Sequence, residues 1–242
     1  MKKSIVIIPT YNEKENISLI MDSVFSLYQD VHVLIVDDNS PDGTALIVED
    51  YQKRFSNRLF IEKRAGKQGL GTAYIHGFKW ALMREYDYVF EMDADFSHNP
   101  ADLHKLYSAC ELGADLAIGS RYVKGVNVVN WPMSRILLSY GASRYVRWIT
   151  RMQIHDTTAG FVCYKASLLR RFNLNKIKFV GYAFQIEMKF KAWLLKAKIV
   201  EVPVIFTDRS RGNSKMSGGI ISEAVFGVLK MKISSLLGKL DI

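Results

Sequence analysis

The sequence is poor in cysteine, histidine and proline, with two, five and five among its 242 residues. Cys110 and Cys163 are too few for a disulfide framework or a thiolate metal cluster. Cys110 shares a helical register with Leu103, Leu106 and Tyr107, which marks it as a buried thiol. His32, His76, His98 and His104 show no metal-ligand spacing. His155 beside Asp156 makes a poor base-and-orienter pair, because chain neighbours rarely face each other. All five histidines are therefore read as packing or surface residues. No apolar run approaches the ~18 residues of a membrane-crossing helix. The longest candidate, 220–237, is broken by Glu223, Lys230 and Lys232. Lys2-Lys3 precede only the apolar residues 5–8 before Pro9, which is short for a secretory signal, so a cytoplasmic location is expected. No linker, repeat or low-complexity segment interrupts the chain, and one domain is the simplest account. What is abundant is apolar: 49% hydrophobic residues against 24% charged supply a sizeable core and exclude disordered or fibrous classes.

Acidic residues are scarce in one half only. Residues 1–119 hold 12 Lys/Arg against 18 Asp/Glu, a balance of −6, and residues 120–242 hold 21 against 6, a balance of +15. Between Asp115 and Asp156 there are six basic residues and no acid. A basic half suits a phosphate-bearing partner, and clustered aspartates in the other half suit a metal. A nucleic-acid partner is not expected, since neither a binding motif nor a regular aromatic–basic alternation is present.

Short apolar runs alternate with helical patterns. Residues 4–8, 31–36, 59–62, 88–92 and 116–119 read as strands. Asn12, with Glu15 three residues on, reads as the start of a helix carrying Ile17, Ile20, Met21, Val24 and Tyr28 on one stripe. Further helices are expected after the turn 39–43, from the glycine loop 66–71 to about Arg84, and over 100–112. Beyond Arg121, residues 126–151 and 183–195 have helical character. Residues 160–164 and 199–206 read as strands, 208–219 as a polar loop, and the rest as an amphipathic helix. The pattern predicts an α/β domain with a mostly parallel central sheet and helices on both faces.

In such sheets ligands bind at the carboxyl ends of strands. Three polar clusters fall there: Pro9-Thr10-Tyr11-Asn12-Glu13, Asp37-Asp38, and Asp93-Ala94-Asp95. Neither aspartate pair has a Lys or Arg nearby in sequence. Two carboxylates one residue apart at a strand end can share a hard cation with phosphate oxygens and water. Asp37-Asp38 after a strand also describes magnesium-binding receiver domains, so a non-catalytic nucleotide-binding receiver or scaffold is an alternative. The loop Gly66-Lys67-Gln68-Gly69-Leu70-Gly71 matches neither the P-loop nor the dinucleotide fingerprint, which argues against an ATPase or a nicotinamide enzyme. Arg135 and Ser139, four apart, share a helix face. Arg209, Arg211, Ser214 and Lys215 lie in a glycine-broken loop able to close over a phosphate.

The stretches VLIVDDNSPDGT at 33–44, IVIIPTYNEKENI near the N-terminus and EMDADFSHNP at 91–100 resemble the inverting family 2 glycosyltransferases of GT-A fold. Among these they are most similar to the dolichyl- or polyprenyl-phosphate mannose synthases, as are GYAFQIEM at 181–188 and FTDRSRGNSKM at 206–216. The resemblance implies transfer of mannose from GDP-mannose to a polyprenyl phosphate, with UDP-glucose, another sugar nucleotide or a non-lipid acceptor as alternatives. It implies that Pro9, Tyr11 and Glu13 hold the nucleotide, with Val36 and Asp38 around base and ribose. Asp93, Ala94 and Asp95 would serve the diphosphate, and Asp93 with Asp95 a Mg2+ or Mn2+ ion. Many relatives have glutamine where this chain has Ser97, so the third metal ligand is Ser97 or water. Arg121, Arg209 and Lys215 correspond to donor-side residues, Asp95, Arg209 and Lys215 to the catalytic set, and Arg135 with Ser139 to the pair gripping the lipid phosphate. The catalytic domain would span 1–219. The helix at 220–242 would pack on that domain or on the membrane, giving peripheral attachment to the cytoplasmic face, alone or through a membrane-anchoring subunit.

Overall fold

The computed structural model describes residues 1–181, 183–208 and 218–241, and for 218–224 the backbone alone. The FTDRSRGNSKM loop residues Arg209, Arg211, Ser214 and Lys215 lie outside the described residues. One seven-stranded sheet organises the domain. Its strands are β1 (Ser4–Thr10), β2 (Val31–Asp37), β3 (Leu59–Lys63), β4 (Tyr88–Glu91), β5 (Leu116–Ser120), β7 (Val162–Lys165) and β8 (Ile199–Pro203), in the order β3-β2-β1-β4-β7-β5-β8. All neighbours are parallel except β7, which runs antiparallel to both β4 and β5. Two reversals cancel, so β1, β2, β3, β4, β5 and β8 all end at the same edge.

Residues 5–8 are fully buried because both faces of the sheet are covered. Side chains alternate: Ile5, Ile7, Leu34 and Val36 enter one core with Tyr74 and Phe78 of α3 (Leu70–Met83) and Phe184 of α7 (Ala183–Leu194). Val6, Ile8, Val33 and Ile35 enter the other with Ile20 and Val24 of α1 (Ile17–Leu27) and Leu106 and Cys110 of α4 (Leu103–Glu111). The Cys110 thiol points at the Cys163 carbonyl, 3.7 Å away, as a buried small side chain.

Several boundaries differ from the sequence expectation. The helix does not open at Asn12, which adopts φ +57° while its N–H donates to Ser40 Oγ at 3.0 Å. Tying this loop to the turn after β2 outweighs the local capping pattern, and α1 starts at Ile17, where the N–H groups of Asn16 and Ile17 both donate to the Glu13 carbonyl. Residues 100–102 form a 3-10 turn before α4. Within 126–151 the helix α5 covers only Met133–Thr150, after Pro132; Val128–Val129 is a short strand (β6) paired with β9 (Phe206–Thr207), which is separate from β8. The remaining helices are α2 (Thr44–Gln52), the single turn α6 (Ala166–Leu169) and α8 (Gly218–Leu236), which lies across α5 and α7.

Candidate active site

The common carboxyl edge gathers the three predicted clusters. The loop after β1 is bolted to the turn after β2: Glu13 N–H donates to Thr44 Oγ1 and Lys14 N–H to Asp42 Oδ2, both at 3.0 Å. Asp42 Oδ1 in turn accepts from Thr44. The Pro41-Asp42-Gly43-Thr44 sequence thus builds a platform for Tyr11 and Glu13. The two acids of Asp37-Asp38 divide the work. Asp37 accepts from Thr10 Oγ1 at 2.8 Å and from the Ser40 hydroxyl and amide, so it is structural. Asp38 pairs with Arg64 at 2.5 Å, a partner 26 residues away that sequence reasoning missed. Arg64 also reaches Thr72 Oγ1, anchoring the first turn of α3. Pro9 and Val36 are register partners, and the Val36 side chain is buried in the core, which leaves only its backbone available for binding.

The glycine loop serves packing. Gly71 N–H donates to the Val180 carbonyl at 2.9 Å, and a Cβ at Gly71 would sit 2.8 Å from both the Phe179 carbonyl oxygen and the Phe184 ring. Gly69 turns the chain with φ +98°.

Past β4, Asp95 is buried and accepts from the Ser97 N–H at 3.0 Å, while Asp93 is half-buried with the Tyr74 hydroxyl 3.4 Å from its Oδ1. Burial keeps the Tyr74 phenol far above its ordinary range, so it stays a donor. His98 was read as ordinary packing, but it forms part of the cavity wall. It stacks on Phe161, and its Nδ1 faces the Asp93 N–H at 3.3 Å. Burial pushes this imidazole down to about 4, so it is an uncharged acceptor at neutral pH. Among the described residues no cluster of three or more His, Cys, Asp or Glu surrounds a common metal position. The donor set is then two hard carboxylates with the Ser97 hydroxyl at the same cavity, which fits Mg2+ or Mn2+ completed by phosphate oxygens and water.

Arg121 follows β5. Its guanidinium forks onto Asp156 (Nε–Oδ2 2.7 Å, Nη2–Oδ1 2.6 Å), bonds Thr158 Oγ1, and lies among Tyr122, Trp131 and Phe206. Arg135, on α5, stacks over Trp131 at 4.0 Å and pairs with Asp208 at 2.6 Å, and Ser139 accepts from Tyr122 OH at 2.8 Å. Asp93, Asp95, Arg121, Arg135 and Ser139 all line one cavity of about 450 Å³. Leu138, Tyr145 and Val146 of α5, Ile186 of α7 and Val225 of α8 add a largely apolar lining to it. Beneath it runs a buried chain that sequence reasoning also missed. Gln185 donates to Glu91, and the Lys189 amine donates to the Ala159 carbonyl at 2.7 Å and to Gln185.

The glycosyl transferase family 2 model matches residues 5–178. The chain belongs to that family. It is a glycosyltransferase, and the receiver-or-scaffold alternative falls with that assignment. The chain is 45% identical over 240 residues to the polyprenol monophosphomannose synthase of Mycolicibacterium smegmatis (99% of this chain, 89% of that protein). It is 44% identical over 231 residues to the undecaprenyl-phosphate mannosyltransferase of Micrococcus luteus (96% and 94%). The dolichol-phosphate mannosyltransferase of Pyrococcus furiosus is 37% identical over 222 residues, 90% of this chain and 60% of that one. Glucosyl-3-phosphoglycerate synthase from Mycobacterium tuberculosis, solved with Mn2+, UDP and glucosyl-3-phosphoglycerate, superposes with a TM-score of 0.65 at 16% identity (99% of this chain, 80% of that one), which places the fold in the GT-A class.

Proposed function

We propose that this glycosyltransferase moves mannose from GDP-mannose to the phosphate of a polyprenyl monophosphate, inverting the sugar's anomeric carbon. The observation that carries the reading is the composition of the cavity: carboxylates, guanidiniums and aliphatic side chains line one and the same space. A sugar diphosphate with its cation, an incoming phosphate and a prenyl chain need those three environments together. The relatives named as polyprenyl-phosphate mannosyltransferases support the same acceptor and sugar.

In this reading the platform of Pro9, Tyr11 and Glu13, with Asp38 and the Val36 backbone, holds the nucleoside. Asp93 and Asp95, beside Ala94 and helped by Ser97, would hold a divalent cation whose charge offsets that developing on the leaving diphosphate. Arg121 stands on the donor side, joined by Arg209 and Lys215 on sequence grounds alone. Arg135 and Ser139 receive the acceptor phosphate, Arg135 exchanging Asp208 for it. A phosphate monoester has its second pKa near ~6, so the acceptor is largely a dianion at neutral pH. One of its oxygens attacks the anomeric carbon, the bond to the diphosphate oxygen breaks, and GDP leaves. No proton need be removed, which fits a cavity whose histidine is held neutral by its surroundings and hydrogen-bonded to backbone. The protein's task is positioning and charge compensation. The chain is placed at the cytoplasmic face of the membrane, where such an acceptor presents its phosphate, with the outer face of α8 or an anchoring subunit as further attachment.

Calorimetric titration with GDP-mannose and with UDP-glucose, each with and without Mg2+ or Mn2+, tests the donor. GDP-mannose should bind in a cation-dependent way that Asp95→Ala removes. Binding of UDP-glucose alone overturns the donor assignment.

A further inference from the structure

One stretch of the cavity lining is neither charged nor aliphatic. Gly160 and Gln185 meet there beside His98. A Cβ placed on Gly160 would lie 3.8 Å from both Gln185 Nε2 and His98 Cε1 and would meet nothing nearer, so the glycine leaves open a niche that a side chain would fill. Gly160 has no positive φ, so backbone freedom is not what calls for glycine at this position. The amide of Gln185 is clamped at both ends. Lys189 donates to its Oε1 at 3.1 Å, and its Nε2 donates to Glu91 Oε2. An ammonium can only donate, so the amide oxygen must face Lys189 and the NH2 group must face Glu91. Glu91 and Lys189 are both 0% exposed, and burying two ionisable side chains is costly. What that cost secures is a fixed amide. With its oxygen and one N–H engaged, Gln185 has a single N–H left to offer the cavity.

We propose that this niche seats the sugar being transferred, with Gln185 Nε2 donating to one of its hydroxyls and the missing side chain of Gly160 giving it room. Chemistry selects the ligand. A hexose presents neutral hydroxyls, which pair with neutral donors and acceptors. The other polar groups of the lining have tasks already: Asp93, Asp95 and Ser97 toward a cation, and Arg121, Arg135 and Ser139 toward phosphates. Thr158 Oγ1 is held by Arg121, and the Tyr145 hydroxyl donates to the Val225 carbonyl at 3.0 Å. An aliphatic chain in the niche would strand the Gln185 N–H, and a phosphate finds stronger donors in the guanidiniums. Position agrees with chemistry. His98 accepts from the Asp93 N–H, and Thr158, two residues before Gly160, bonds Arg121, so the niche adjoins the groups assigned to the leaving diphosphate. Clamping by Glu91 and Lys189 makes them positioning residues, since the amide is oriented before the sugar arrives. The inference rests on the sugar-nucleotide reading above, but not on which sugar is carried.

Calorimetric titration with GDP and with GDP-mannose, each with Mg2+ or Mn2+, separates the sugar's share of binding from the nucleotide's, with unfolding temperatures confirming that the variants fold. Gln185→Ala should bind GDP as wild type does and GDP-mannose about fivefold more weakly, the worth of one hydrogen bond to a neutral group. Gly160→Ala brings a methyl that meets only ordinary contacts, so it should unfold at or above the wild-type temperature. It should bind GDP normally yet lose at least about tenfold in GDP-mannose affinity, because the methyl overfills the niche. Lys189→Met, which frees the amide to turn, should weaken GDP-mannose but not GDP, by less than Gln185→Ala does. Full GDP-mannose affinity in Gly160→Ala, or equal losses for GDP and GDP-mannose in the folded variants, overturns the niche. Failure of wild type to bind GDP-mannose would overturn the proposed donor instead, and the same variants titrated with UDP and UDP-glucose would then decide the niche.

Discussion

Asp156→Asn tests whether the Arg121 cluster is held together as described. Asp156 is fully buried, and it accepts from Arg121 Nε, Nη2 and backbone N–H within 2.9 Å. Burial alone would push this carboxyl up, but the charge and hydrogen bonds of Arg121 outweigh burial and hold it below its ordinary range. Removing the anion strands a guanidinium whose side chain is only 9% exposed. Orphaning one member of a buried pair costs about 3–5 kcal/mol. At roughly 2–4 °C per kcal/mol for a domain of this size, the unfolding temperature should fall by about 10 °C. Arg121→Met/Asp156→Leu, which leaves no orphan, should recover most of that loss in thermal denaturation while remaining inactive. The pH dependence has a definite sign. A carboxyl depressed in the folded state stabilises above its unfolded pKa of ~3.9, and that contribution is lost as pH falls through the folded value. Wild type should therefore lose stability in acid faster than the asparagine variant. An asparagine variant as stable as wild type, or a double variant no more stable than the single, refutes the reasoning.

Gly71→Ala should destabilise by about 1–3 kcal/mol in denaturant titration, because its methyl meets a backbone carbonyl and a packed ring; Gly66→Ala, facing open space, should change stability by less than about 0.5 kcal/mol. Lys189→Met should separate from wild type most at high pH. Burial pushes the Lys189 amine down to about 8, against ~10.4 unfolded. Wild type thus gains stability as pH rises through that window, and the variant lacks the gain. Arg135→Ala should raise the KM for the lipid acceptor by about tenfold or more at unchanged unfolding temperature, since its ion pair with Asp208 is partly exposed and of small structural worth.

The parallel core strands were legible because burial on both faces writes itself as an unbroken apolar run, as in residues 5–8. The carboxyl-edge clusters were legible because strand ends are marked by the change from apolar to acidic residues. The antiparallel insertion of β7 was not: residues 160–164 show a strand but carry nothing that names β4 and β5 as neighbours. The capping pattern at Asn12 misled because a local signal lost to a hydrogen bond with Ser40, 28 residues on. The charged partners of the site were hidden for the same reason. Arg64 finds Asp38, Arg121 finds Asp156 35 residues away, and Gln185 finds Glu91 across 94. His98 looked bland because its role is a neutral acceptor under the aspartates, which no ligand spacing advertises.

The most direct measurement is transfer of labelled mannose from GDP-mannose to a short polyprenyl phosphate, followed as extractable lipid, with and without Mg2+ or Mn2+, in wild type and Asp95→Ala. The account predicts cation-dependent mannosyl lipid from wild type and none from the variant. Undiminished product from Asp95→Ala, or no lipid product from folded wild type with either cation, would contradict it.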